Sequence, residues 1–133
     1  MNRRDLFVFL VLELFAIAWA AAMFKWIESR LFAGALAGGY FVISAAYITW
    51  RVSRWEDRWR SACFYPLLLH LFGVSLPMVI SRFLQANQVF ENVQIWGLSG
   101  PEFHRLSGWV FSALIAGTVV DIVRASLKPR PLS

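Results

Sequence analysis

The sequence predicts an all-α integral membrane protein, a bundle of four transmembrane helices with both ends in the cytoplasm. Three observations carry this. The chain is 59% apolar and only 16% charged, with a mean hydropathy of +0.57, whereas soluble domains are about 45–50% apolar and about 25% charged. Four apolar runs each approach the roughly 20 residues needed to cross a bilayer. The Lys and Arg residues are divided unequally between the two sets of connections, as orientation in a membrane requires.

The runs are Leu6–Phe24, Leu31–Trp50, Ser61–Ser81 and Leu106–Val123. The first contains one charge, Glu13, and the second none. The third has none while His70 is neutral, and the fourth has only Asp121. Ser99 lies three residues before Glu102, a capping box that opens the fourth helix earlier. Helices are therefore expected at about 6–24, 31–50, 61–81 and 100–124 of a single membrane domain spanning 1–133. Arg3-Arg4, an apolar run and Ala18-Trp19-Ala20 also fit a cleavable signal peptide. Glu13 interrupts that apolar core and the run continues to Phe24, so an uncleaved first helix is the expectation.

Arg3, Arg4, Arg51, Arg54, Arg58, Arg60, Arg124, Lys128 and Arg130 fall on one side, against Lys25, Arg30, Arg82 and Arg105 on the other. Nine against four places both termini and the second connection in the cytoplasm, most simply at a bacterial inner membrane. Trp50, Trp55, Trp59 and Tyr65 would flank the inner face, and Trp26, Trp96 and Trp109 the outer. Lys25–Arg30 is a tight outer hairpin. In Arg51–Arg60, Arg51, Arg54 and Arg58 share a helical face with Trp55 and Trp59. That face reads as a positive-inside loop with an aromatic belt, or as a contact for anionic lipid or a partner. The long outer connection, 83–103, is expected to hold a short interfacial helix, with Ala86, Val89, Phe90, Val93 and Trp96 on one face and Gly97 at its end.

The net charge of +5 does not imply nucleic acid, because the basic residues lie between apolar spans and no binding motif is present. The single cysteine, Cys63, excludes an internal disulfide and a multi-cysteine metal site. Walker, nucleophile-elbow and His-Glu-x-x-His motifs are absent, so no enzymatic activity is expected.

Each span carries a stripe of small or polar residues suited to the bundle interior: Glu13, Ala16 and Ala20; Ala33, Ala37, Tyr40, Ser44 and Tyr47; Cys63, Pro66, His70, Gly73 and Pro77; His104, Ser107, Phe111, Leu114, Thr118 and Asp121. Counting about 1.5 Å per residue from the inner ends puts Glu13 and His70 at similar depth, with Ser44 and Thr118 close to that layer. An intramembrane carboxylate costs about 2.5–3.5 kcal/mol to insert, so Glu13 should be protonated or paired. His70 is its expected partner, as a proton site or as a structural pair. Asp121 is expected to form an interfacial ion pair with Arg124, or with Arg3 or Arg4.

Two stretches resemble known families. Glu13 in the first helix of a short four-span chain resembles the small multidrug resistance transporters, whose first helix carries one embedded Glu that exchanges protons for cationic drugs. The resemblance implies that role for Glu13. It covers one residue and its context; the aromatic and Gly-rich pattern of that family's later helices is absent, and the long outer loop is extra. His104-Arg105-Leu106-Ser107-Gly108 resembles the His-Arg-x-Ser/Thr-Gly segment of the cytochrome b subunits that anchor succinate dehydrogenase, which lies near their quinone and haem b. It covers about eight residues, has Pro101 where that family has Ser, and opens the last helix instead of the first. By depth, His104 and His70 cannot share one haem, since about 18 Å separates them; a haem held by a single His stays open.

Three functions are therefore expected, in order. The first is a non-catalytic subunit or assembly partner of a larger membrane complex, docking on other membrane subunits or on itself through small-residue steps such as Gly34-x-x-x-Gly38, and holding no cofactor. The second is a small proton-coupled transporter using Glu13 and His70. The third is a haem- or quinone-binding anchor using His104, Arg105 and Ser107.

Overall fold

The computed structural model describes residues 1–129; Arg130, one of the nine basic residues above, lies outside them. Four helices are long and apolar enough to cross a membrane: α1 (Arg3–Trp26), α2 (Arg30–Ser53), α3 (Phe64–Leu84) and α4 (Gly100–Leu127). Local chemistry sets most of their starts. The Asn2 side chain accepts from Arg4 N and caps α1, and Ser29 does the same for α2 through Phe32 N. At α4 Ser99 and Glu102 form the reciprocal capping box, with Pro101 in the first turn where its missing N–H costs nothing. The start of α3 has no side-chain cap of its own.

The helices form a ring in which α1 packs on α2 and α4, and α3 on α2 and α4. Its main core gathers Leu6, Phe9, Ile48, Val52, Leu67, Leu71 and Leu114. The outer faces remain apolar, with Val11, Ile43, Phe72 and Trp109 among many exposed large side chains. In lipid such a bundle is held by close packing and internal hydrogen bonds, not by expulsion of water.

The buried stripes differ in part from the expected ones. On α1 Glu13 and Ala16 are buried. On α2 the buried residues are Ala33, Ala37, Ala45, Ile48 and Val52, and Tyr47 is exposed. The α2 face turns because three-and-four spacing also fits Ala45 and Ile48, whose apolar side chains fill the core better. Gly34-x-x-x-Gly38 is not an outward step: a Cβ on Gly38 would lie 2.7 Å from Val79 Cγ2 of α3. The bundle itself uses that notch.

Within α3, Leu69–Ser75 is π-helical. Pro77 has no N–H to offer the Gly73 carbonyl four residues earlier, and the Trp96 indole N–H donates to that carbonyl at 3.2 Å instead.

The 83–103 connection does not contain the expected interfacial helix. It has one 3-10 turn, Phe90–Asn92, and a two-stranded antiparallel hairpin, β1 (Gln94–Ile95) and β2 (Leu98–Ser99). Trp96 and Gly97 form its turn, with φ of 54° and 79°, the left-handed pair that two-residue hairpins demand. Val93 and Ile95 alternate into a second core with Val74 and Phe103, a period of two where a helix needs three or four. Both Gln85 amide atoms bond the Gln94 backbone, which ties the end of α3 to the hairpin.

Arg51–Arg60 likewise breaks its expected helical face. Helix α2 ends at Ser53, and Arg58–Arg60 forms a separate 3-10 turn. Trp55 turns inward and stacks on Phe9 with ring centroids 5.7 Å apart.

Candidate functional site

Among the described residues, the buried polar side chains fall into three clusters. The first joins α1 to α4. Glu13 is 2% exposed, and 2.8 Å separates its Oε1 from Thr118 Oγ1. Thr118 Oγ1 also lies 3.0 Å from the Leu114 carbonyl of its own helix. Among the described residues, Glu13 Oε2 has no hydrogen-bond partner. Nearby, the Tyr40 hydroxyl donates to the Leu12 carbonyl at 3.2 Å and ties α2 to α1.

The second cluster joins α4 to the start of α3. Asp121 is fully buried. Its carboxylate accepts from Ser61 Oγ at 2.6 Å, Ala62 N at 2.8 Å and Cys63 N at 3.0 Å. The two backbone N–H groups belong to the start of a helix, where such donors are left unmet, and an anion there is favoured by the helix dipole. Asp121 therefore supplies the cap that α3 lacks in its own sequence. Gly117, one turn earlier, permits the approach: a Cβ there would lie 2.6 Å from the Ala62 carbonyl oxygen. The expected ion pair with Arg124 is present, but it is secondary to those hydrogen bonds. Arg124 Nη1 is 3.9 Å from Asp121, a loose contact, while Arg124 donates to the Arg60 carbonyl at 3.2 Å.

The third cluster lies within α3. His70 Nε2 is 3.1 Å from Ser75 Oγ, five residues on, a spacing that a π-helical turn brings into line. The His70 ring packs on both Phe41 and Phe111, with centroids 5.7 and 5.2 Å away, and those two rings meet each other edge to face at 5.2 Å.

Glu13 and His70 thus take different partners and do not bond each other. Depth explains this. Glu13 meets α4 at Thr118 and His70 meets it at Phe111, seven residues or about 10 Å of helix rise apart. Counting from equal inner ends misplaces His70, because Asp121 fixes the start of α3 well inside the end of α4. Of the expected layer, Thr118 joins Glu13. Ser44 turns to the Phe41 carbonyl of its own helix, 3.2 Å away.

His104, Arg105 and Ser107 do not converge. His104 and Arg105 are exposed, His104 stands edge-on to Phe90, and the Ser107 hydroxyl donates to the His104 carbonyl at 2.6 Å.

The basic residues at the end bearing both termini also divide. Arg51 Nη2 bonds both Asp5 oxygens at 2.7 and 2.9 Å, joining α2 to α1. Arg54 lies over the Trp50 ring at 4.1 Å and Arg58 over Trp59 at 5.3 Å. Asp57 receives the Met1 ammonium at 2.9 Å, with Lys128 at 3.9 Å. The hydrogen bond from that ammonium holds the Asp57 carboxyl below its usual range.

Of these residues, the sequence reading missed Ser61, Ser75, Asp57 and the capping role of Asp121. The deciding signal for Asp121 was the uncapped start of α3.

The chain matches no protein-family model, no curated protein and no solved structure.

Proposed function

We propose that this chain is a small multi-pass protein of a bacterial inner membrane, with both termini cytoplasmic, that serves as a non-catalytic subunit or assembly partner of a larger membrane complex. One observation carries the reading. Gly108, Ser112 and Ala116 are exposed at four-residue spacing along one face of α4, and a Cβ on Gly108 would meet nothing within 4 Å. In lipid, helices associate where small residues let backbones approach closely. Whereas Gly38 is occupied by α3, this step is open. Beside it runs a shallow apolar groove of about 410 Å³, lined by Tyr65, Pro66, Leu69, Trp109, Val110 and Ala113. The excess of Lys and Arg at the end with both termini supports the orientation.

The test is purification in a mild detergent. A stoichiometric partner, or a second copy, is expected on the wild type and lost in Gly108→Leu/Ser112→Leu while the bundle keeps its thermal stability. A monomer that purifies alone would remove the reading. Reporter fusions to either end test the orientation, and an outward signal from one of them defeats it.

A further inference from the structure

The hydrogen bonds around Glu13 contain a proton count. Thr118 Oγ1 lies 2.8 Å from Glu13 Oε1 and 3.0 Å from the Leu114 carbonyl. Neither neighbour is a donor if Glu13 is ionised, and a threonine hydroxyl has only one proton. It can give the carboxylate one hydrogen bond at most, and the Leu114 carbonyl keeps its helical N–H from Thr118 either way. If Glu13 carries a proton, its O–H donates to Thr118 Oγ1, and the Thr118 O–H donates to Leu114. Each proton then has an acceptor and no charge is buried.

The rest of the site favours the same state. Glu13 is 2% exposed. Among the described residues no Lys, Arg or His forms an ion pair with it. Its Oε2 has no partner, a small cost for the carbonyl oxygen of an acid but a large one for a carboxylate, since burying an unpaired charge is far dearer than burying a polar group. The ionisable groups nearest in the fold give no cation. Asp121, one turn along α4, is itself an acid. Tyr40 of α2 directs its hydroxyl to the Leu12 carbonyl. Cys63, at the start of α3, pairs with Ser61.

We propose that Glu13 is a proton-binding site, a neutral carboxylic acid whose O–H is relayed through Thr118 to the Leu114 carbonyl. Release of the proton turns the Thr118 hydroxyl from Leu114 to Glu13 Oε1, so a rotor on α4 follows the charge on α1. The site does not involve His70, and it does not depend on which partner the bundle docks against.

Infrared spectra of the purified protein in detergent at neutral pH test this. The wild type is expected to show the carbonyl stretch of a protonated carboxyl, moved slightly in heavy water. Glu13→Gln should abolish the band. Thr118→Val, which keeps the shape and removes the acceptor, should retain it at higher frequency. A wild type without the band overturns the proposal, and that result needs no variant to fold. A band indifferent to both substitutions overturns it equally.

Discussion

Two acids lie inside this bundle at nearly equal burial, Glu13 at 2% and Asp121 at 0% exposure, and their surroundings differ completely. Asp121 faces three donors, two of them backbone N–H groups of a helix start. Glu13 faces one hydroxyl whose proton has a second claimant. Burial alone therefore does not decide what a carboxyl does in this helical bundle; the number of protons aimed at it does. Three donors hold an anion that organises two helices. One shared donor leaves an acid.

The sharpest way to break the comparison is to neutralise each residue in place. Asp121→Asn keeps one accepting oxygen but turns an NH2 group toward donors on the other side and removes the charge, which leaves part of the α3 start unmet. We expect a loss of about 3 kcal/mol or more, since hydrogen bonds to buried charge are each worth about 1.5–3 kcal/mol. Glu13→Gln keeps a carbonyl and a donor, and should cost about 1 kcal/mol or less. Unfolding in a denaturing detergent series compares the two; equal losses would erase the distinction.

The second change sharpens it. Gly117→Ala adds one methyl where the α3 start crosses α4. A cost of about 1–3 kcal/mol is expected from overpacking, together with slack in the Asp121 contacts. Hydrogen exchange should show faster loss of the Ala62 and Cys63 amide protons. Unchanged exchange would mean that Gly117 is not what brings the carboxylate within reach.

The smallest effect is at the surface, where a third acid supplies the contrast. Asp57 is lowered mainly by its hydrogen bond from the Met1 ammonium. A lowered folded-state value means stability that is present above the unfolded value, about 3.9, and lost as pH falls through the folded one. The wild type should therefore weaken slightly below about pH 4, and Asp57→Asn should flatten that slope. Added salt should shrink the effect, as for any exposed pair. An identical acid slope in the variant would show that Asp57 contributes nothing measurable.

The four long apolar helices were legible because long apolar runs have few other interpretations, and the capping box at Ser99 and Glu102 was legible because its signal is local. The hairpin was misread: Val89, Phe90, Val93 and Trp96 fit a helical face, while Val93, Ile95 and the Trp96-Gly97 turn fit a period of two, and so short a segment supports both. The Glu13 site was half legible. An embedded acid announces itself, but its partner depends on the relative heights of helices, and those heights follow from the contact between Asp121 and residues 61–63, about sixty positions apart in the chain. No local pattern encodes that offset. The α2 face was ambiguous because alanines satisfy several faces at once.

That long-range contact also bears on the order in which the bundle is made. A chain emerging from its N-terminus presents the third helix long before residue 121 exists. Until the last helix arrives, the Ala62 and Cys63 amides lack the Asp121 carboxylate, so the third helix rests on the second, with Val79 against Gly38, without the contact that sets its start against the fourth. Truncation anywhere ahead of Asp121 would leave the third helix packed on the second but its first turn uncapped.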